Sequence, residues 1–308
     1  LQQQFAWRIA PEWIVWLPRR VTGINVACRA AGNDADGVVT AVHVYPRVLS
    51  APGLARRELI KVPLREDDSG WHWDLERLEA SLTPRTRLLL LCRPHNPVGR
   101  AFRRAELRDL INICERHDVI ICSDEIHADI ILDPARRHIP TASINPAAHE
   151  RCITLMAPSK TFNIPGLGCS FAVIGNDRLR SRFRQAMAGI VPDVNVLGYT
   201  AAEAAYRDGW DWHRALVDYL RQNRDLVFLE ISRMPALQTT LPEATYLAWI
   251  DARGLSIKNP TAFFESAGVG LSDGKDFGAE GFLRLNFGCR RALLEDALAR
   301  MQGALINR

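Results

Sequence analysis

Seven short apolar segments alternate with helix-like segments over the first two thirds of the chain. The segments predicted as strands are 13–17, 38–45, 58–64, 88–94, 119–126, 152–157 and 171–175. Between the fourth and fifth of them, segment 105–118 has the i, i+3, i+4, i+7 apolar spacing of an amphipathic helix. Its apolar positions are Leu107, Leu110, Ile111 and Cys114. Strands that alternate with helices in this way predict an α/β fold, with a mostly parallel seven-stranded sheet and helices on both faces.

The pattern changes in the last third of the chain. A long helical segment at 211–234 leads into an alternating strand at 244–250, and a shorter α+β region follows. We therefore expect a large domain at 1–208, and a connecting helix with a smaller C-terminal domain at 209–308. The chain opens without methionine and enters a strand-like run almost at once, so we expect that the N-terminal segment of the large domain is missing.

Composition excludes several classes of protein. The 308 residues are 47% hydrophobic and 24% charged, and the net charge is only +4. The arginines are scattered without a basic stripe, so no nucleic-acid partner is expected. No apolar run approaches a membrane span, so no membrane partner is expected. The seven cysteines contain no C-x-x-C pair and no zinc spacing with histidine, which predicts a reducing, cytoplasmic location and no metal site.

One lysine lies inside an apolar segment punctuated by glycine and proline. Lys160 occurs in "LMAPSKTFNIPGLG", just past a predicted strand. A buried lysine must lose its charge or find a partner, and a neutral amine can form a Schiff base with a carbonyl group. Alternatively, the stem of the lysine packs while its ammonium group reaches water. On this segment alone, the second interpretation is favoured.

Polar side chains follow several of the other predicted strands. Ligands of open α/β sheets bind beyond the carboxyl ends of the strands, so residues that follow strands are candidates for one site. These residues occur in Pro18-Arg19-Arg20, which opens a helix, at Tyr45, and in His95-Asn96-Pro97, Ser123-Asp124-Glu125-Ile126-His127 and Ser159-Lys160. An amide, an acid, a histidine, a lysine, an aromatic ring and a helix N-terminus are thus predicted at one edge of the sheet.

Four motifs identify a family resemblance. "HNPVG", "SDEIHAD", "APSKTFNIPGL" and "GFLRLNFGCRR", in this order and at these separations, resemble the fold-type I pyridoxal-phosphate enzymes. These are the class I/II aminotransferases and, most closely, the cystathionine β-lyase-like carbon–sulfur lyases. The resemblance runs from about residue 12 to the C-terminus. It implies the fold-type I transferase fold, pyridoxal 5'-phosphate as cofactor, a small amino-acid substrate and a homodimer with shared active sites.

The resemblance gives roles to the residues around the cofactor ring. It implies that Lys160 forms the Schiff base and later carries the Cα proton. It also implies that Asp124 keeps the ring nitrogen protonated, which the electron-sink chemistry requires, and that Asn96 binds the phenolic oxygen of the ring. Taken alone, Asp124 could be a helix cap and Asn96 part of a plain Asn-Pro turn.

Three further residues match the family at the ring and at the substrate. Tyr45 matches the aromatic residue that stacks on the ring, with core packing as the alternative. His127 stands where aminotransferases usually have tyrosine, which is the pattern of the lyase branch, although a role in capping the strand end is equally supported. Arg284 matches the arginine that binds the substrate α-carboxylate with its planar fork, with a surface salt bridge as the alternative.

The predicted phosphate site departs from the family pattern in two places. Arg19 and Arg20 stand where the family usually has small residues, so these arginines either crowd the turn or supply positive charge. Many aminotransferases carry a phosphate-binding arginine eight residues after the lysine, and Gly168 is found there instead, which fits the lyase branch. The Ser159 hydroxyl is a further predicted phosphate ligand.

Three functions follow from the resemblance. The first is a carbon–sulfur β-lyase that converts cystathionine or related cysteine S-conjugates to a thiol, pyruvate and ammonia. The second is a class I/II aminotransferase, and the third is a non-catalytic cofactor-binding module of the kind fused to DNA-binding segments. His127 and "KTFNIPGL" favour the lyase, and the sequence printed contains no helix-turn-helix or basic arm in favour of the third.

Overall fold

A seven-stranded sheet forms the centre of the protein. The computed structural model describes residues 1–67 and 70–306. The strands are β1 (Ile14–Leu17), β2 (Gly37–Val42), β3 (Glu58–Pro63), β4 (Arg65–Asp67), β5 (Gly70–His72), β6 (Thr86–Cys92), β7 (Ile120–Asp124), β8 (Cys152–Met156), β9 (Ser170–Val173), β10 (Gln238–Thr239), β11 (Leu247–Asp251), β12 (Ser272–Asp273) and β13 (Phe282–Asn286). The central sheet has the order β1-β9-β8-β7-β6-β2-β3. Strand β9 runs antiparallel to both neighbours, and the other six strands run in one direction.

All seven strands predicted from the apolar segments are present in this sheet, with ends that differ by a few residues. The predicted α/β class with a mostly parallel sheet is confirmed. Strand β2 is buried along its whole length, as expected for a strand that helices cover on both faces.

Helices cover the central sheet and flank a second, smaller sheet. They are α1 (Gln2–Phe5), α2 (Arg20–Ala30), α3 (Pro46–Leu54), α4 (Leu75–Ser81), α5 (Arg104–Arg116), α6 (Pro146–Arg151), α7 (Asp177–Met187), α8 (Val196–Asp208), α9 (Trp210–Ser232), α10 (Pro260–Ser266) and α11 (Arg291–Ile306). The four apolar residues predicted to form one face of α5 are all buried. Among the described residues, no helix is both long and apolar enough to cross a membrane.

The second sheet contains the antiparallel strands β10-β11-β13-β12 and has its own apolar core. The long helix α9 contributes Val217, Leu220 and Val227 to that core. The strand predicted at 244–250 begins later than expected, at Leu247. Thr245 has a φ of 70°, in the left-handed region that a strand cannot include, and this conformation delays the start of the strand.

The carboxyl ends of the parallel strands bring the predicted site residues to one edge of the central sheet. Asp124 is the last residue of β7, and Lys160 lies in the turn after β8. Tyr45 lies between β2 and α3, and Arg20 is the first residue of α2, just after β1. Strand β13 of the second sheet carries Arg284 toward the same edge.

Candidate active site

Lys160 lies in a tight turn that follows β8. Within this turn, the Phe162 amide donates to the Pro158 carbonyl at 2.9 Å, and the Thr161 hydroxyl donates to Asp129 at 3.0 Å. The Phe162 ring contacts Trp210 of α9, with 5.4 Å between ring centres. The position of the lysine is therefore fixed on both sides by packing and hydrogen bonds.

The environment of Lys160 favours a neutral amine. Burial lowers the pKa of Lys160, and the nearby positive charges of Arg20 and Arg284 lower it further. The sequence contains three other lysines, Lys61, Lys258 and Lys275, and all three are exposed. Lys160 is half-buried and is therefore the lysine best suited to act as a nucleophile.

Asp124 is buried at the end of β7 and forms an ion pair with Arg20. Nη1 of Arg20 donates to Oδ2 of Asp124, and the two side chains are 9% and 3% exposed. Burial raises the pKa of Asp124, and the Arg20 guanidinium partly offsets this effect. The interpretation of Asp124 as a plain helix cap does not fit, because its carboxylate pairs with a side chain 104 residues away.

Arg20 also contacts Tyr45. The guanidinium carbon of Arg20 lies 4.7 Å from the centre of the Tyr45 ring, a cation–π contact. The neighbouring Arg19 is exposed, so the two adjacent arginines of the turn have different environments. Sequence reasoning placed both at the phosphate, whereas the structure directs the Arg20 guanidinium toward Asp124 and Tyr45.

Arg284 joins the second sheet to the central one. Its Nη1 donates to Asn96 Oδ1 at 3.2 Å, and its Nη2 donates to Ser272 Oγ at 3.1 Å. The guanidinium also lies over the ring of Phe277, 4.7 Å from its centre. Arg284 is half-buried and has no carboxylate partner within the described residues, so the interpretation as a surface salt bridge is wrong.

His127 is buried close to three positive charges. Burial lowers the pKa of His127 well below its usual value, and Arg20, Lys160 and Arg284 lower it further. Its ring contacts that of Tyr246, with 5.7 Å between the ring centres. The lowered pKa favours the neutral imidazole, which is close enough to the three basic side chains to feel their charges.

A small cavity lies between the turn after β1 and the lysine turn. Its volume is about 120 Å³, and the residues Arg19, Arg20, Ser159, Lys160 and Gly168 are part of its lining. Gly168 has a φ of 34°, and a Cβ there would lie 3.1 Å from the Pro18 carbonyl oxygen. This close approach gives a local reason for glycine at a position where many aminotransferases have arginine. The N-terminal amides of α2 border the cavity, and such amides bind anions.

Sequence reasoning did not find Ser272, Phe277 and Tyr246. The first two hold the guanidinium of Arg284, and Tyr246 packs against His127. Ser272 pairs with Arg284 through the register of β12 and β13, which no local pattern reveals. Tyr246 follows a residue with positive φ, and the alternation of apolar residues around it indicated only a strand.

The polar groups of this site fit pyridoxal 5'-phosphate. Within the described residues, Asp124 Oδ1, His127 Nδ1 and Arg284 Nε are buried without a hydrogen-bond partner. A buried polar atom without a partner costs free energy, so such atoms indicate a bound group. One free carboxylate oxygen suits a protonated ring nitrogen, a lysine with a lowered pKa suits an aldehyde, and a helix N-terminus suits a phosphate. Among the described residues, no group of His, Cys, Asp and Glu could hold a metal ion.

Comparison with known families identifies the class of protein. Residues 14–301 match the family described as aminotransferase class I and II. The match covers most of the chain, and this protein therefore belongs to the aminotransferase class I and II family. The resemblance inferred from the four motifs is confirmed.

The relatives include carbon–sulfur lyases. Cystathionine beta-lyase PatB from Bacillus subtilis (strain 168) is 35% identical over 317 residues, covering 99% of this chain and 81% of PatB. The crystal structure of OvoB matches with a TM-score of 0.98 and 49% identity, covering 100% of this chain and 81% of OvoB. The structure of cystalysin from Treponema denticola contains pyridoxal 5'-phosphate. It matches with a TM-score of 0.95 and 32% identity, covering 99% of this chain and 79% of cystalysin. The fold-type I transferase fold and the predicted cofactor are confirmed.

Proposed function

We propose that this protein is a pyridoxal-phosphate-dependent carbon–sulfur β-lyase. Its substrates are cystathionine or related cysteine S-conjugates, and its products are a thiol, pyruvate and ammonia. One observation carries the proposal. Lys160 is half-buried and has a lowered pKa, and it lies at the same edge of the central sheet as Asp124 and Arg284. His127 and the relatives named as cystathionine beta-lyases favour the lyase over the aminotransferase.

Three residues would hold the cofactor ring. Asp124, whose Oδ1 is buried without a partner, would accept a hydrogen bond from the ring nitrogen and so favour its protonated form. Tyr45 would stack on the face of the ring, and Asn96 would bind its phenolic oxygen. When bound, the cofactor supplies an electron sink for the electron pair that remains on Cα.

The phosphate would bind in the cavity of about 120 Å³ at the start of α2. The N-terminal amides of α2 and the Ser159 hydroxyl would donate hydrogen bonds to the phosphate oxygens. Arg19, which is exposed in the same turn, adds positive charge at the mouth of the cavity. Together these groups provide anchors on the side where Gly168 offers no side chain.

Arg284 and Lys160 act on the substrate. Arg284 binds the α-carboxylate through its guanidinium, which Asn96 and Ser272 hold in a fixed orientation. Lys160, whose pKa is lowered, would take up the Cα proton on Nζ in its neutral form, and the thiolate would leave Cβ with the electron pair of the carbon–sulfur bond. The enamine that is released takes up water to give pyruvate and ammonia. The lowered pKa of His127 favours an imidazole that adds no charge beside Lys160 and Arg284.

We also propose a division of the chain at residues 208 and 209, with residues 1–208 binding the cofactor. Residues 209–308 comprise the connecting helix and a C-terminal domain that supplies Arg284. The separate apolar core around the second sheet supports this division.

Two copies of the chain would form a homodimer with shared active sites. An exposed apolar surface supports this proposal. Its residues are Trp16, Leu167, Val196, Leu197 and Tyr199, and the side chains of Val196 and Leu197 are 74% and 66% exposed. Leu167 is followed directly by Gly168, which lines the phosphate cavity, so a second copy on this surface lies beside the site. Leu197→Glu should reduce the mass in solution to that of a monomer, whereas Leu54→Glu, at an equally exposed position on α3, should not.

The assay that tests the function uses purified protein, pyridoxal phosphate and L-cystathionine. Pyruvate is measured with and without an added keto acid. A β-lyase produces pyruvate at the same rate in both cases, because elimination needs no amino-group acceptor. Turnover only in the presence of the keto acid would identify an aminotransferase instead. Cofactor binding without turnover in either case would identify a non-catalytic module.

A further inference from the structure

Arg20 lies within the space where the site residues would hold the cofactor ring. It is the first residue of α2, and its side chain points into the protein rather than to solvent. Its guanidinium donates to Asp124 Oδ2 and stacks at 4.7 Å over the ring of Tyr45. The positive charge of Arg20 is therefore held between the acid and the aromatic ring.

These contacts involve the same two side chains that the proposed function gives to the cofactor, with Arg20 on Oδ2 of Asp124 and the ring nitrogen assigned to Oδ1. A protonated pyridine ring and a guanidinium are both planar cations, and both bind a carboxylate while stacking on an aromatic face. One face of the Tyr45 ring cannot stack on the guanidinium and on the cofactor ring at the same time. The present position of Arg20 and a ring between Asp124 and Tyr45 therefore exclude each other.

We propose that Arg20 is an internal counter-cation that the cofactor displaces. In the cofactor-free protein, Arg20 neutralises Asp124. When the cofactor ring takes its place, the Arg20 guanidinium moves into the phosphate cavity. This inference rests on the proposed cofactor contacts of Asp124 and Tyr45, but not on the lyase reaction.

In both positions of Arg20, the charges of Arg20 and Asp124 are paired. Without Arg20, the cofactor-free protein would contain Asp124 as a buried carboxylate with no cation, which is strongly destabilising. When the ring is bound, its protonated nitrogen pairs with Asp124, and the guanidinium needs a new anion. The cofactor phosphate is that anion, because the planar fork of arginine binds phosphate oxygens in pairs.

The side chain does not need a backbone movement to make this exchange. Arg20 already lines the phosphate cavity with Ser159 and Lys160, so the same residue borders both positions. The arginine side chain has several rotatable bonds, and rotation about them moves the guanidinium from one position to the other. The cavity of about 120 Å³ beside α2 is the place where the phosphate group would lie.

Displacement of Arg20 makes cofactor capture slower than it would otherwise be. The cofactor ring can enter only after the hydrogen-bonded ion pair between Arg20 and Asp124 has opened. A hydrogen bond between charged groups corresponds to a factor of roughly ten to a hundred in an equilibrium constant. We therefore expect the wild-type protein to bind cofactor about ten- to a hundredfold more slowly than a variant without the guanidinium.

The test compares leucine variants of two arginines on α2. Wild type, Arg20→Leu and Arg29→Leu are stripped of cofactor and mixed rapidly with pyridoxal phosphate, and the absorbance change of binding is followed. Arg20→Leu should bind roughly ten- to a hundredfold faster than wild type. Arg29→Leu removes an exposed charge at the other end of the same helix and should stay close to wild type. An Arg20→Leu rate equal to or below that of wild type would overturn the proposal.

A second measurement uses the wild-type protein, in case Arg20→Leu does not fold. A crystal structure of the cofactor-loaded protein should show the Arg20 guanidinium on the phosphate and no longer on Asp124. Arg20 still paired with Asp124 in that structure would overturn displacement. Both measurements report on cofactor binding and do not depend on the lyase reaction. A protein that passes them and forms no pyruvate would contradict the proposed lyase function and leave this inference intact.

Discussion

Arg284 and Asn96 are 188 residues apart in the sequence, and the arginine donates a 3.2 Å hydrogen bond to the amide oxygen of the asparagine. Asn96 follows β6 of the central sheet, and Arg284 lies on β13 of the second sheet. This contact links the residue proposed to bind the substrate carboxylate to a residue proposed to bind the cofactor. The position of the substrate relative to the cofactor therefore depends on how the two sheets are held together.

Arg284→Ala should weaken the binding of amino-acid substrates about ten- to a hundredfold, because a charged hydrogen-bonded contact contributes roughly 1.5–3 kcal/mol. Amine analogues that lack the carboxylate should bind almost equally to wild type and variant. Steady-state kinetics with both classes of ligand measure the difference. Arg290→Ala is the control, since Arg290 is an exposed arginine shortly after the same strand. Equal losses for acid and amine would assign the carboxylate to another residue.

Lys160→Ala should abolish covalent attachment of the cofactor and reduce turnover to background. Reduction with borohydride followed by mass spectrometry should find the cofactor on the peptide that contains residue 160 of the wild type and on no peptide of the variant. Lys61→Ala, at an exposed lysine on β3, should behave like wild type. Covalent cofactor and full activity in Lys160→Ala would show that another lysine carries the reaction.

Asp124→Asn should reduce turnover by orders of magnitude, because a neutral amide no longer favours a protonated ring nitrogen. The same change leaves the buried Arg20 without its anion, so the cofactor-free variant should lose about 3 kcal/mol of unfolding free energy. Urea unfolding and steady-state kinetics measure the two effects. Asp109→Asn, at an exposed position on α5, is the control. Wild-type turnover by Asp124→Asn would remove Asp124 from its proposed role.

Glu125 should make stability depend on acid pH. Its carboxylate contacts His138 at 2.6 Å and accepts hydrogen bonds from Ser123 and from the amide and hydroxyl of Thr141. Burial opposes ionisation, but His138, Arg93 and the Thr141 amide outweigh it and lower the pKa of Glu125 from 4.5 to about 2. A lowered pKa in the folded state stabilises the protein above pH 4.5, and this contribution is lost as the pH falls through about 2.

The expected contribution of Glu125 is about 3 kcal/mol, at about 1.4 kcal/mol per pKa unit. Urea unfolding between pH 5 and pH 2 should therefore show a decrease of this size in wild type that Glu125→Gln does not show. Glu295→Gln removes an exposed carboxylate on α11 and should retain the decrease. The same pH dependence in Glu125→Gln and wild type would contradict the assignment.

The sequence was sufficient to predict the strands of the central sheet because their signal is local. Each strand is a short apolar run, and the residues that follow the runs at the carboxyl edge are those that meet in the structure. Lys160 and Asp124 could be assigned in this way, since each lies within a few residues of a strand end. Arg284 required the family resemblance, because it belongs to a different sheet.

Other features depend on contacts between distant parts of the chain and could not be predicted. The direction of Arg20 is determined by its ion pair with Asp124, 104 residues later, whereas the local sequence shows only two adjacent arginines. Ser272 contacts Arg284 through the register of two short strands. The late start of β11 follows from the left-handed conformation of Thr245, a residue type that usually favours strands.

The most direct test of the central claim is the ratio of products from L-cystathionine over many turnovers, with pyridoxal phosphate present and no keto acid added. The proposed elimination breaks one carbon–sulfur bond for each pyruvate formed, so wild type should release free thiol, pyruvate and ammonia in equal amounts. Lys160→Ala should release none of them above background. Absence of sustained thiol and pyruvate release by the wild type, or release that persists in Lys160→Ala, would contradict a β-lyase centred on this lysine.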